Sequence, residues 1–281
     1  MKLGRFSVDD EVRFGVIEDG SVVTASREDG SFGEMLEAVT VGEDVDLGGE
    51  TYSLGDVEYL PPTTESNTVF AAALNYRSHV EETSMAIPER PLLFLKPYRS
   101  LIGDRAPIPL YTSITTELDY EAELAVVIGT PCWNVSKSEA LDYVAGYTVL
   151  NDITSRNVQR MSVGDVDRLD WFSSKALQGS TPVGPFVTTA DEVSDPMDLR
   201  IRSWVNGETM QDESTGLMIR DVPELVSFAA SRVELQPGDL IATGTPEGVG
   251  HWQDLDLEDG DTIEIEIDDV GRLTNTVRAV E

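Results

Sequence analysis

Asp119-Tyr120-Glu121-Ala122-Glu123-Leu124-Ala125-Val126-Val127-Ile128-Gly129 is the stretch from which both fold and chemistry are best approached. Apolar and polar residues alternate and β-branched residues fill its second half, which predicts a strand. Successive side chains on a strand point to opposite faces, so Glu121 and Glu123 share one face. Ala122, Leu124, Val126 and Ile128 line the other, which must be packed. Two carboxylates about 7 Å apart at their Cα atoms, on a strand this apolar, repel each other and resist desolvation. A hard divalent cation such as Mg²⁺ or Ca²⁺ resolves that conflict, because it prefers carboxylate oxygens. The alternative is a strand with one wet face in an acidic protein.

Acidic the protein certainly is. Its 281 residues carry 52 Asp and Glu against 20 Lys and Arg, a formal net charge of −32, yet 40% of the chain is hydrophobic. Acidic runs such as Glu43-Asp44-Val45-Asp46 and Asp254-Leu255-Asp256-Leu257-Glu258-Asp259 are spread along the chain and do not collect in one tail. Lysine is nearly absent: Lys2, Lys96, Lys137 and Lys175 stand alone. A folded, lysine-poor, uniformly acidic surface resembles proteins of salt-loaded halophile cytosols, where ionic strength screens self-repulsion. It argues against nucleic acid or an anionic membrane as partner. Cys132 is the single cysteine, which excludes an intrachain disulfide framework and a zinc cluster. No apolar run approaches the roughly 18 residues of a spanning helix and no apolar leader opens the chain, so a soluble cytoplasmic protein is expected.

The flanking segments predict a β-rich α+β chain. Val12–Ile17 and Ser21–Ala25 alternate about a Glu18-Asp19-Gly20 turn, and Ser31 caps a short helix to Val39. Pro61-Pro62-Thr63-Thr64 marks a boundary, giving a small N-terminal β-rich domain over 1–63 and a larger one over 64–281. Val69–Leu74 reads as a strand, with Asn75 as N-cap of a helix on which His79 and Glu82 are i, i+3 neighbours. A histidine whose tautomer is fixed by a carboxylate suits a general base near neutral pH, although a solvated His–Glu pair is equally allowed. Pro91–Pro97 holds another strand. Ser136-Lys137-Ser138-Glu139 is a capping box opening a helix to about Val144. Gly146–Asp152 returns as a strand whose last residue can supply a third carboxylate. Arg156 and Gln159 project to one side of a helical turn, and Lys175 lies among small and apolar residues. Thr181–Pro185 reads as a rigid loop, Leu199–Val205 as a strand before an Asn206-Gly207 hairpin turn, and Asp221–Arg232 as a capped helix. Leu240–Ala242 is a strand that ends in Thr243-Gly244-Thr245-Pro246-Glu247-Gly248-Val249-Gly250, a loop in which backbone N–H groups can approach an anion closely. The tail is a hairpin over Thr262–Ile267 and Leu273–Val277.

Taken in order, these segments resemble one family. Asn75-Tyr76-Arg77-Ser78-His79, Phe94-Leu95-Lys96-Pro97, the Glu121-Ala122-Glu123 strand, Asn151-Asp152, Ser155-Arg156 with Gln159, and Pro237 through Gly250 are similar to the fumarylacetoacetate hydrolase family over residues 68 to 280. The resemblance implies a β-roll of mixed sheets, a smaller N-terminal domain and a homodimer. It implies Mg²⁺ or Mn²⁺ held by Glu121, Glu123 and Asp152, and a His79–Glu82 catalytic dyad. It also implies an active-site Lys175, substrate contacts from Arg156 and Gln159, and a role for Thr245. The surroundings of Lys175 depart from the family, which commonly has Gly-Lys-x-Phe-Asp where this chain has Ser174-Lys175-Ala176-Leu177-Gln178. The implied reaction acts on a small 2-oxo or 1,3-dioxo acid, with C–C hydrolysis preferred over hydration, dehydration, isomerisation or decarboxylation. A catalytically silent metal- or carboxylate-binding protein is the reading from another class. If the acidic surface is an adaptation to salt, the melting temperature rises steeply with KCl and the fold is lost below molar salt; a melt independent of KCl contradicts it.

Overall fold

The computed structural model describes residues 1–25 and 31–281. A large sheet organises them. From one edge its strands run Thr51–Ser53, Ser21–Thr24, Glu11–Glu18, Lys2–Val8, Thr181–Thr189, Val144–Asn151, Ala122–Ile128, Leu240–Ala242, Val69–Ala73 and Leu92–Lys96. Most neighbours are antiparallel, but Leu240–Ala242 runs parallel to Val69–Ala73. A second sheet of five strands, from Glu208–Ser214 through Arg200–Val205, Thr262–Ile267 and Gly271–Val280 to Ile108–Tyr111, stacks beside it. This is a β-rich α+β fold with few, short helices, as expected.

The Ala122–Ile128 strand occupies the centre of the large sheet, and every one of its residues is buried. Its two faces serve two cores. Ala122, Leu124, Val126 and Ile128 pack with Ile201, Ile263 and Ile265 of the second sheet and with Leu225 and Val226 of the Val222–Ala230 helix. Ala125 and Val127 pack on the opposite face with Leu3, Phe32 and Leu36 from the N-terminal segment. The wet-face alternative is therefore wrong: Ala125 and Val127, which share the parity of Glu121 and Glu123, are fully buried, and the two glutamates are only 6% and 1% exposed. The N-terminal strands join the same sheet directly, Leu3 pairing with Val187. Close strand packing also demands Gly146, where an added Cβ would lie 2.1 Å from the Thr188 carbonyl oxygen.

Local expectations met the structure unevenly. The Ser31 cap forms a full capping box with Glu34 on the Phe32–Thr40 helix. Asn75 is not an N-cap. That place falls to Tyr76, and the Asn75 amide instead bridges strands, donating to the carbonyls of Arg220 and Thr243. Only half of the Ser136–Glu139 box forms, Glu139 Oε2 accepting the Ser136 N–H at 3.3 Å, and only the 3₁₀ turn Ala140–Tyr143 follows, because the strand at Val144 begins before an α-helix can repay its nucleation. Thr181–Pro185 is no loop but the first half of the Thr181–Thr189 strand. Among the described residues, no helix is long and apolar enough to cross a membrane.

Candidate active site

The antiparallel register that pairs Ala122 with Asn151 and Glu123 with Leu150 places Asp152 opposite Glu121, with the Asp152 N–H donating to the Glu121 carbonyl at 2.9 Å. One oxygen from each of Glu121, Glu123 and Asp152 lies within 4.8 Å of the others. All three side chains are buried. Two strand ends thus converge three carboxylates on one point.

Buried cations surround them. Lys175 ends the short Trp171–Lys175 helix, which Asp170 caps by accepting the Ser173 N–H at 3.0 Å. Its Nζ donates to Glu121 Oε2 at 2.8 Å, Asp152 Oδ2 at 2.6 Å and Thr154 Oγ1 at 2.7 Å. Lys175 is only 5% exposed, so it is no surface lysine. Lys96 Nζ donates to the other oxygen, Asp152 Oδ1, and to the Lys175 carbonyl. Arg156 Nη2 reaches Glu121 Oε1 at 2.8 Å, and Arg156 Nε reaches Asp119 Oδ2 at 2.8 Å. Glu123 has no such cation; its Oε2 accepts the Gly244 N–H at 2.7 Å. Gly244 holds φ +90 with Asn75 Cβ only 2.9 Å from where its own Cβ would be, so this N–H donor needs glycine.

The charges do not balance. Asp119, Glu121, Glu123 and Asp152 face Lys96, Lys175 and Arg156, four carboxylates against three cations. Burial opposes ionisation of Glu121, but Lys175 and Arg156 outweigh it and bring its carboxyl down to about 2. Burial, reinforced by Asp152 and Glu121, pushes Glu123 well above the ordinary carboxylate range. Lys175 keeps its charge: burial disfavours it, yet Asp152 and Glu121 hold the ammonium above the ordinary lysine range. A buried all-oxygen donor set whose full ionisation leaves one negative charge unpaired fits a hard divalent cation, which would be held by Glu121, Glu123 and Asp152.

A second group stands across the cleft. On the Arg77–Thr83 helix, His79 Nδ1 lies 2.9 Å from Glu82 Oε2, and Glu82 Oε1 accepts the Gly248 N–H at 2.9 Å. The dyad is therefore tied to the glycine-rich loop. In that loop Thr245 Oγ1 accepts from Gln211 Nε2 at 2.8 Å, which leaves the threonine hydroxyl proton free to donate. His79, Glu121, Asp152, Lys175 and Thr245 line one cleft. Arg156 and Gln159 line it too, on the 3₁₀ turn Arg156–Val158 and its C-cap. Glu123 lies beneath the surface and Glu82 behind His79. The outer wall is aromatic: Phe94 stacks on Trp171 with ring centroids 5.1 Å apart, and Trp252 stands at the rim.

Three residues of this network escaped the sequence reading. Lys96 carried the signal that singled out Lys175, a lysine amid apolar residues in a lysine-poor chain. Asp119 opens the central stretch, but its partner Arg156 is distant in sequence. Gln211 gives no local signal, since its partners Thr245 and Pro246 come from the loop after another strand.

Residues 68–278 match the fumarylacetoacetate (FAA) hydrolase C-terminal family and residues 1–62 a family described as Rv2993c-like, N-terminal. A Staphylococcus saprophyticus protein of uncharacterised function is 42% identical over 248 residues, covering 87% of this chain and 80% of its own length. Among solved structures, the fumarylacetoacetate hydrolase of psychrophilic Exiguobacterium antarcticum is 35% identical with a TM-score of 0.84 over 100% of both chains. A 5-carboxymethyl-2-hydroxymuconate delta-isomerase from Mycobacterium smegmatis is 34% identical with a TM-score of 0.81, again over 100% of both chains. Maleylpyruvate hydrolase from Sphingobium sp. SYK-6, solved with manganese(II) and pyruvate, is 30% identical with a TM-score of 0.78 over 100% of both.

Because a carboxylate must be deprotonated to ligate, the raised position of Glu123 sets the sign of the pH dependence. Calorimetric Mn²⁺ titration is expected to give one site per chain, to release protons, and to weaken as pH falls. Glu123→Gln should cut the affinity by at least about 100-fold. Undiminished Mn²⁺ affinity in Glu123→Gln contradicts the site.

Proposed function

We propose that this chain, which belongs to the fumarylacetoacetate hydrolase family, is a divalent-metal-dependent enzyme that hydrolyses a C–C bond of a small 2-oxo or 1,3-dioxo acid. One observation carries the reading. The Glu121–Glu123–Asp152 cluster, the His79–Glu82 dyad and the charged Lys175 converge on a single cleft. A site built only to bind carboxylates has no use for a histidine held in one tautomer beside it. Magnesium is our first choice of metal, with manganese or calcium as substitutes.

When bound, the metal supplies Lewis acidity to the oxygens of the oxo acid. The residues of the chain supply the rest. Arg156 and Gln159 orient the substrate carboxylate from one side of the cleft. Nδ1 of His79 donates to Glu82, which leaves Nε2 to take a proton from water as the hydroxyl adds to the distal carbonyl carbon. The C–C bond then breaks, its electron pair passes to the carbon next to the 2-oxo group, and His79 returns the proton there. Lys175 stays an ammonium throughout, held by Asp152 and Glu121, and offsets negative charge on the substrate oxygens. The Thr245 hydroxyl is a further donor to the same oxygens. The Phe94–Trp171 wall and Trp252 exclude water from the tail of the substrate.

Isomerisation is the second reading, favoured by similarity to two mycobacterial isomerases at 34% and 35% identity. His79 would then carry one proton between two carbons of the same substrate, with no water consumed. We further place the protein in a salt-rich cytoplasm as a homodimer. The exposed apolar side chains Met161, Val163, Val166 and Phe172 offer a surface for a second copy.

Acylpyruvates, oxaloacetate, 2-keto-3-deoxy acids and unsaturated 2-hydroxy diacids, assayed with Mg²⁺ in high KCl, test the reading. Turnover on at least one is expected, abolished by EDTA and reduced about 10²- to 10⁴-fold by His79→Ala. No turnover on any of them, or turnover undiminished by EDTA, overturns it.

A further inference from the structure

Asp119 does not face the cleft, yet more of the site hangs on it than on any carboxylate outside the metal-ligand set. It is fully buried, at the end of the Leu118–Asp119 strand that pairs with Thr154–Ser155. Its Oδ1 accepts the Tyr120 N–H at 2.8 Å and the Gly250 N–H at 2.7 Å. Its Oδ2 accepts the His251 N–H at 3.1 Å and Arg156 Nε at 2.8 Å, and lies 2.7 Å from Arg156 Nη2 in an ion pair. Four hydrogen-bond donors from three separate segments meet on one carboxylate. A buried carboxylate is tolerated only when it is hydrogen-bonded this completely, and such charge-assisted bonds are the strong ones.

The consequence for Arg156 is geometric. Its Nε and Nη2 are taken by Asp119 and Glu121, so the planar guanidinium cannot rotate about its own axis. Nη1 remains, 3.4 Å from Gln159 Oε1, and both residues line the cleft. On the other side, the amides of Gly250 and His251 open the 3₁₀ turn Gly250–Gln253, from which His251 and Trp252 form part of the cleft wall. No Cβ fits at Gly250, where it would come within 2.4 Å of the Leu255 carbonyl and 2.8 Å of Asp119 Oδ1. The rim is thus clamped onto the same carboxylate as the arginine.

We propose that Asp119 is a positioning residue for the reaction: it aims the Nη1 edge of Arg156 at the substrate carboxylate and fixes the His251–Trp252 rim around the same molecule. This rests on the 2-oxo acid reading above. Asp119 itself touches neither substrate nor metal. Its removal should therefore loosen substrate and leave the metal in place, which separates positioning from general stability.

The test is Asp119→Asn, whose amide keeps the volume but cannot serve Arg156 as a carboxylate does. Oxalate, which presents the adjacent oxygens of a 2-oxo acid, is titrated into the Mn²⁺-loaded full chain. Oxalate affinity should fall roughly 10- to 100-fold, the loss expected for a misplaced charge-assisted bond, while Mn²⁺ affinity stays within about 3-fold of wild type. KM should rise in step with the oxalate loss and kcat should change little, as for an interaction that binds substrate. Arg156→Lys should also lose oxalate, and Asp119→Asn added to it should cost less than it does alone, because only the rim then remains to be loosened. Should Asp119→Asn not fold, Asp119→Glu carries the test, because its extra methylene displaces the guanidinium within a closed site. Wild-type oxalate affinity in the variant overturns the proposal alone, and so do losses that multiply in the double variant or a fall in Mn²⁺ affinity as large as that for oxalate. Wild-type protein loaded with Mn²⁺ that fails to bind oxalate overturns the 2-oxo acid reading as well.

Discussion

Mutual repulsion among the buried carboxylates Glu121, Glu123 and Asp152 is the constraint on which the rest of the site depends. Each ionised group taken from water into an apolar sheet is costly unless it is paired. The chain meets that cost with three of its few buried cations: Lys96 and Lys175 on the two oxygens of Asp152, and Lys175 and Arg156 on the two of Glu121. Glu123 receives a single backbone N–H, and its carboxyl is accordingly the one driven upward. A divalent cation held by the three carboxylates would offset their repulsion. Lys96 and Lys175 also orient the carboxylate oxygens they hold, so the same residues that make the cluster tolerable would prepare it to bind.

The fold supplies what this arrangement needs. Strand register, Ala122 against Asn151 and Glu123 against Leu150, brings Asp152 beside Glu121. The strand after the crossover, Leu240–Ala242, delivers the glycine-rich loop whose Gly244 and Gly248 amides hold Glu123 and Glu82 respectively. One loop therefore ties the carboxylate cluster to the His79–Glu82 pair. The strongly acidic exterior and the cation-lined interior would act in opposite directions on an anionic substrate. The surface would repel it, with salt screening that repulsion over roughly 10 Å or less, while Arg156 and Lys175 would attract it at close range.

Much of this was legible in the sequence where periodicity or residue type is a local property. The alternation around Glu121 and Glu123, the Ser31 cap, the Asn206–Gly207 hairpin and the isolation of Lys175 in a lysine-poor chain all survive in the structure. What failed depended on tertiary context. Asn75 looks like a cap, but it is drawn into bridging Arg220 and Thr243, each well over a hundred residues away. Thr181–Pro185 looks like a loop because its prolines suggest turns, yet neighbouring strands hold it extended. The wet-face alternative for the central strand could not be dismissed locally, because that face is covered by residues distant in sequence, among them Leu3, Phe32 and Leu36 of the N-terminal segment. Asp119 and Gln211 stayed hidden for the same reason: their partners are distant in sequence.

We propose that Glu121, Glu123 and Asp152 together hold one divalent cation at the base of the cleft. Crystals of the protein grown with Mn²⁺ and measured for anomalous scattering are expected to show one strong manganese peak per chain, within coordination distance of an oxygen from each of the three carboxylates. A manganese peak elsewhere, or none while Lys96 and Lys175 still hold Asp152, would contradict it.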